Sequence, residues 1–262
     1  MSVHPGAWVV WGVGAGLVAM LTTNPFYLLP LVGVSWLVYS ACRVPGPSAR
    51  SFRTFLTFAV VALVLRSGLV LFGTLDAGNL ASAVVEGLRL GTLLVVFGTF
   101  NSVADPYGVL RLAPRRFYEV GLASALALAF APRMIAAVTS VRDAQRLRGI
   151  HVSRMRMLPA LAVPVLENGM EDALVLAESM DARGHGRGRR SRYRPLPWTT
   201  ASWVVATAAA TTLSIFVITA LGDNGGLSPS LFPLTWPEAE SILVASVCLL
   251  AVPALLPKEG SR

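Results

Sequence analysis

The chain has 262 residues, of which 54% are hydrophobic and only 14% charged, with a formal net charge of +8. An ordinary soluble domain carries about a quarter charged residues, so this composition points to a chain whose main solvent is lipid. The positive charge is arginine clustered between apolar segments, which argues against a continuous nucleic-acid-binding face. Cys42 and Cys248 lie at or within apolar runs and suggest neither a disulfide framework nor a metal site.

In chain order, six segments are apolar enough to be predicted as membrane spans, each needing about 20 residues of helix. They run approximately Trp8–Leu21, Phe26–Ala41, Phe55–Leu75, Leu80–Phe100, Trp198–Leu221 and Glu238–Leu256. The first two are short and share the tight turn Thr22-Thr23-Asn24-Pro25, which suits a shallow hairpin as well as two full crossings. No basic region precedes the first stretch, and it leads directly into the second, so a cleaved leader is not expected. The connections Thr22–Pro25, Asp76–Asn79 and Gly222–Pro237 contain no Lys or Arg, whereas the alternate connections hold nearly all of them. The positive-inside bias therefore predicts a multi-pass protein of the inner (plasma) membrane with both termini cytoplasmic. Arg66, Glu86 and Arg89 fall within spans. They read either as an ion pair setting helix packing or, the expectation here, as interface residues snorkelling to headgroups.

Between the fourth and fifth spans lies a region of different character. The run Asn101-Ser102-Val103-Ala104-Asp105-Pro106-Tyr107 breaks the fourth span and leads to a short helix. A long helix is predicted from about Phe117 to Arg148, with small residues at four-residue spacing: Gly121, Ala125 and Ala129, then Ala123, Ala127 and Ala131. Such lines permit close helix approach in or near a membrane. Pro132 is expected to kink this helix so that it leaves the bilayer along the inner surface. A second helix is predicted from after Pro159 to Ala182, with an apolar stripe of Leu158, Ala162, Val165, Ala173, Leu176, Ala177 and Met180. Glu167, Glu171, Asp172, Glu178 and Asp181 occupy much of its remainder. Both helices end alike, in Arg148-Gly149 and Arg183-Gly184, with glycine as the stop. One Arg-Gly end is a common stop signal; two in one region are not.

These features, together with Asn24-Pro25, Asn101-Ser102, Asp105-Pro106-Tyr107 and the segments Ala144–Gly149 and Ala177–Gly186, resemble the EcfT/CbiQ family over most of the chain. That family is the transmembrane coupling component of energy-coupling-factor importers. The resemblance implies two long cytoplasmic coupling helices ending in X-Arg-X signatures that dock into a pair of ATP-binding-cassette ATPases. By position these are Leu147-Arg148-Gly149 and Ala182-Arg183-Gly184. It further implies a separate substrate-binding membrane protein, the S component, as partner, with a vitamin, cobalt or nickel as cargo. Arginine suits such docking because its charge is permanent and its planar fork offers several donors. At a helix C-terminus it also complements the dipole.

The expected fold class is therefore all-α: a polytopic membrane protein of about six transmembrane helices with a coupling region of two long helices ending in Arg-Gly. The expected divisions are 1–100, 101–197 and 198–262. No catalytic, metal or cofactor-binding residue is assigned. The only lysine is Lys258, so a phosphate loop of the G-x-x-x-x-G-K-[ST] type is absent and ATP belongs to partner subunits. His4, His151 and His185 are scattered, His185 reading as a solvated loop residue. The basic run Arg187–Arg194 directly precedes a span and reads as an anchor on anionic lipid, with no nucleic-acid partner. The competing reading is a substrate-conducting permease subunit of another ABC transporter, whose Glu-Ala-Ala-type coupling loop is not found here. A membrane-embedded enzyme would need more convergent polar residues than Arg66, Glu86 and Arg89.

Overall fold

The structure is a computed structural model that describes residues 3–43, 48–72, 77–112, 117–149, 157–185, 197–222, 227 and 239–256. Among these the regular elements are all helical. The chain forms two compact units, Met1–Leu112 with Leu196–Arg262, and Ala113–Pro195.

Three helices of the first unit begin by one device. Pro5, Pro25 and Pro106 open α1 (Pro5–Leu21), α2 (Pro25–Cys42) and α5 (Pro106–Leu110), where proline's missing N–H removes nothing and its fixed φ suits the first turn. The residue before each supplies a cap. His4 Nδ1 accepts from Gly6 N at 3.1 Å, Asn24 Oδ1 from Phe26 N at 3.0 Å, and the Asp105 carboxylate from the N–H groups of Tyr107 and Gly108. Helix α3 (Ser48–Gly68) runs on through a 3-10 turn at Leu69–Phe72, and α4 (Ala77–Val103) follows. The chain returns with α8 (Thr200–Leu221), α9 (Ser241–Leu249) and α10 (Val252–Leu255).

The core of this unit is built from facing apolar positions. Trp11, Ala15 and Val18 of α1 lie against Tyr27, Leu28 and Leu31 of α2, Val205, Ala209 and Phe216 of α8, and Leu243 and Val247 of α9. Helices α3 and α4 pack closest, because α4 turns a line of glycines toward α3. A Cβ on Gly98 would lie 2.7 Å from Phe55 Cβ, and one on Gly91 would lie 3.4 Å from Ala59 O. Buried hydroxyls bond to carbonyls of their own or a neighbouring helix, as Thr99 Oγ1 does to Ser35 O at 3.2 Å and Thr212 Oγ1 to Ser246 O at 2.8 Å. Among the described residues no buried side-chain nitrogen or oxygen lacks a partner, as an apolar solvent demands.

Among the described residues five helices are long and apolar enough to cross a membrane: Pro25–Cys42, Ser51–Gly68, Gly78–Val103, Glu119–Leu147 and Thr200–Leu221. Pro5–Leu21 is apolar but shorter. This revises the expected set of spans in two places. The segment expected as one helix over Glu238–Leu256 is broken at Leu250–Ala251, next to Pro253, into α9 and α10. The Leu250 carbonyl at the break accepts from Trp11 Nε1 at 3.0 Å, and Cys42 Sγ donates to Pro253 O at 3.3 Å. Non-helical backbone is tolerated at membrane depth where protein satisfies it in this way. The broken helix still covers the height of α2: the Glu240 N–H donates to the Tyr27 hydroxyl at one end, and Cys42 meets Pro253 at the other. The second revision is that the helix expected to leave the bilayer at Pro132 is long and apolar enough to cross over all of Glu119–Leu147.

That helix, α6 (Tyr118–Leu147), forms the second unit with α7 (Met157–Ala182). Pro132 lies inside α6 and Pro164 inside α7. The half-buried residues of α6 between 130 and 147 fall on one line, Phe130, Met134, Ala137, Val141 and Gln145, at three- and four-residue steps. Met134 packs on Gly169, where an added Cβ would lie 3.0 Å from Met134 Cε.

The charges that fall within the expected spans resolve as a pair and a cap. Arg66 Nε donates to Glu86 Oε2 at 2.9 Å, and its Nη2 bonds the same oxygen. This is the ion-pair reading, set aside in the sequence expectation for snorkelling. The side chains remain 36% and 50% exposed, so α3 and α4 are pinned at a rim of the unit. Arg89 donates from Nε to Ala19 O at 3.3 Å and from Nη2 to Met20 O, satisfying two carbonyls left open at the end of α1.

Candidate functional site: two arginine-tipped helix ends

Helix α6 ends at Leu147 and α7 at Ala182, which places Arg148 and Arg183 at the C-cap of each. Gly149 and Gly184 follow at φ 74° and 75°, a region glycine enters without cost. The hydrogen bonds match. Arg148 N donates to Ala144 O and Arg183 N to Ser179 O, each at 3.2 Å; Gly149 N donates to Arg146 O at 3.0 Å and Gly184 N to Asp181 O at 2.8 Å. At the second end His185 N also donates to Met180 O at 3.0 Å, completing a Schellman motif. His185, read from sequence as a solvated loop residue, thus serves through its backbone, with its side chain exposed.

These ends present their side chains outward. Leu147 is 90% exposed, unusual for leucine, and Arg148, Ala182 and Arg183 are exposed beside it or at the second end. Among the described residues neither the Arg148 nor the Arg183 guanidinium has a side-chain partner. Arg146, two residues earlier, does approach a carboxylate, Asp143, at 4.0 Å. Each end therefore offers a charged, multi-donor fork at the negative pole of a helix, held by a fixed glycine turn. That arrangement can bind carboxylates and carbonyls in a groove.

The two ends lie far apart. Leu147 stands thirteen residues after Met134, and Met157 twelve before Gly169. In parallel helices they would be about 38 Å apart at 1.5 Å per residue. Nine intervening residues reach about 35 Å at full stretch, and Arg148 and Gly149 are already turned. The helices consequently run in crossed or opposed senses, which puts Arg148 and Arg183 at least about 20 Å apart.

The sequence reading missed a second apolar face of α7. Val163, Leu166, Met170 and Leu174 recur at three- and four-residue steps and are 58–66% exposed. Of the expected stripe, Val165, Leu176 and Met180 are half-buried, while Ala162, Ala173 and Ala177 are exposed. The i, i+3, i+4 spacing of the second face was available in the sequence, but one stripe suffices to explain an amphipathic helix. Among the described residues no three His, Cys, Asp or Glu side chains are placed to hold a metal ion.

An all-α bundle with several helices long and apolar enough to cross a membrane defines a polytopic membrane protein, here with a second pair of helices whose ends expose arginines. No family model matches the chain. It is similar to the energy-coupling factor transporter transmembrane protein EcfT of Bacillus selenitireducens, 27% identical over 205 residues, covering 68% of this chain and 76% of that protein. EcfT of Thermotoga maritima is 25% identical over 214 residues, 73% of this chain and 79% of its own. EcfT of Streptococcus thermophilus is 31% identical over 147 residues, 52% of each. These likenesses over much of the chain support membership of the EcfT family of energy-coupling factor transporter transmembrane proteins.

Proposed function

We propose that this chain is the coupling component of an energy-coupling-factor importer. It passes ATP-driven motion of two partner ATPases to a separate substrate-binding membrane protein that takes up a vitamin or a transition-metal ion. Arg148 and Arg183, with Leu147, Gly149, Ala182 and Gly184, are the docking points, one for each ATPase. The observation that carries this reading is the pair of matching helix ends, each an exposed C-cap arginine on a positive-φ glycine. Two arginine ends at least about 20 Å apart suit two partner subunits. The exposed apolar face of α7 suits a hydrophobic partner. ATP is bound by the partners, and the chain itself acts without a catalytic site. Arg43 and Arg111 lie beyond the α2 and α5 ends that meet α10 and α1, and the arginine-free turn Thr22–Pro25 lies at the other end. That asymmetry supports cytoplasmic termini in the plasma membrane.

Gentle solubilisation from native membranes and affinity capture of the chain test the reading. Two ATPase subunits and a small hydrophobic protein are expected in the eluate. Capture with neither an ATPase nor a small membrane protein would refute it.

A further inference from the structure

Three helix starts meet in the first unit at His4, Pro5 and Gly6. Helix α1 begins there, capped by His4 itself, whose Nδ1 accepts from Gly6 N at 3.1 Å. Helix α5 lies on the proline. A Cβ on Gly108 would stand 2.7 Å from Pro5 Cγ and 3.3 Å from its Cβ, so a side chain at 108 has no room unless α5 moves off the ring. The start of α8 is tied in as well. His4 N donates to Ser202 Oγ at 2.8 Å, and the His4 ring stacks on Trp198 with centroids 4.6 Å apart. A Cβ on Gly6 would lie 3.3 Å from Trp198 Cζ2. The Ser202 hydroxyl is fixed in turn by Thr199 Oγ1 at 2.8 Å, and both His4 and Ser202 are buried. The place of this corner in the chain matters. Helix α5 is the last helix before the chain enters the second unit at Ala113, and Trp198 stands just after it returns at Leu196. Both connections to the helices that carry Arg148 and Arg183 are therefore held, within the first unit, by the same three residues.

We propose that His4, Pro5 and Gly108 are positioning residues, forming a clasp that keeps the two chain connections to the docking helices at one spacing throughout the ATPase cycle. This rests on the docking role given to Arg148 and Arg183. Force applied at those arginines reaches the first unit along the chain through two connections. If the two were free to spread, part of the displacement would be spent in separating them. Tied to one helix start, they carry it together through packed contacts. Proline and glycine suit the joint because neither has a side-chain rotamer to change: the ring is fixed, and the glycine brings backbone directly against it. A change of size at either residue therefore opens the contact and is not absorbed by side-chain motion, while both arginine ends stay intact.

The test uses the full complex with its ATPases in nanodiscs, in a Cys42→Ser, Cys248→Ser background. Nitroxide labels are placed at Leu112 and Thr200, both exposed, one beside each connection. Their separation is measured by continuous-wave and pulsed electron resonance, with and without Mg-ATP and vanadate. The parent should give one separation that nucleotide leaves unchanged. Gly108→Ala should retain the ATPases, while the distribution broadens and shifts with nucleotide. Adding Pro5→Ala to Gly108→Ala removes the Cγ that stands 2.7 Å from the new Cβ, and should return most of the parental distribution. Ser202→Ala takes away the acceptor of His4 N and should broaden the distribution from the α8 side. Pro5→Ala should not restore that variant. A nucleotide-dependent shift in the parent overturns the clasp. So does a parental distribution in Gly108→Ala or Ser202→Ala, or no recovery in the Pro5→Ala, Gly108→Ala double variant. Should Gly108→Ala fail to accumulate, Ser202→Ala gives the same readout, and an unchanged distribution there overturns the clasp equally. Arg183→Glu separates the two claims. If it loses the ATPases while Gly108→Ala and Ser202→Ala behave as the parent, only the clasp fails; if it assembles normally, the docking reading fails and the clasp with it.

Discussion

Alanine in place of Gly184 should weaken ATPase docking about 5- to 30-fold. Gly184 sits at φ 75°, and an alanine held there is disfavoured by roughly 1–2 kcal/mol. No heavy atom lies within 4 Å of the added Cβ, so the cost is conformational and not a clash. If φ relaxes instead, the bonds from Gly184 N to Asp181 O and from His185 N to Met180 O are lost. Each is worth about 0.5–1.5 kcal/mol, so the two routes cost similar amounts. Either way Arg183 leaves its docking geometry for much of the time, and 1–2 kcal/mol corresponds to about 5- to 30-fold in affinity. Asparagine tolerates the left-handed region better than alanine, so Gly184→Asn should lie between parent and Gly184→Ala. Gly149→Ala, at φ 74°, should behave alike, whereas Gly33→Ala, in α2 with open space around its Cβ, should do nothing. The assay is titration of the purified ATPase pair against the chain in nanodiscs. Binding within twofold of the parent for both Gly149→Ala and Gly184→Ala would refute the argument that glycine geometry positions the arginines.

A double-mutant cycle of Arg66→Met and Glu86→Met, read by thermal stability, should give a coupling below about 1 kcal/mol, because both side chains are a third to a half exposed. A much larger coupling would mean that the pair sits in hydrocarbon. For topology, single cysteines at Asn79 and Asn224 should be labelled by an impermeant thiol reagent on intact cells, while one at Ser153 stays protected; the opposite pattern would invert the orientation.

Local chemistry made much of this architecture legible. The turn Thr22–Pro25 and the break at Asp105-Pro106 read as the places where one helix gives way to the next, and in each the capping side chain before proline opens the following helix. The Arg-Gly pairs read as helix stops because only glycine enters the positive-φ turn freely, and φ is positive at Gly149 and Gly184. What escaped was set by tertiary contacts. The break between α9 and α10 depends on Trp11 and Cys42, more than 200 residues away in sequence, satisfying the open backbone. An apolar run alone does not show that its carbonyls will find such partners. Arg66 and Glu86 pair because α3 and α4 approach closely along Gly87, Gly91 and Gly98, a line that hydropathy does not register. Likewise, nothing local shows that Met134 packs on Gly169.

The central claim is that Arg148 and Arg183 each hold one ATPase, and charge reversal tests it most directly. Arg148→Glu and Arg183→Glu are compared with Arg187→Glu and Arg190→Glu, which make the same charge change in the basic run. Truncating one partner of a buried, hydrogen-bonded charge pair costs about 2–5 kcal/mol, and reversal costs more. The two docking variants should insert and express normally yet lose the ATPase pair in pull-down, Arg183→Glu more completely because Arg146 stands near to substitute for Arg148. The two controls should retain it. If Arg148→Glu and Arg183→Glu capture the ATPases as the parent does, the two arginines are helix stops and nothing more.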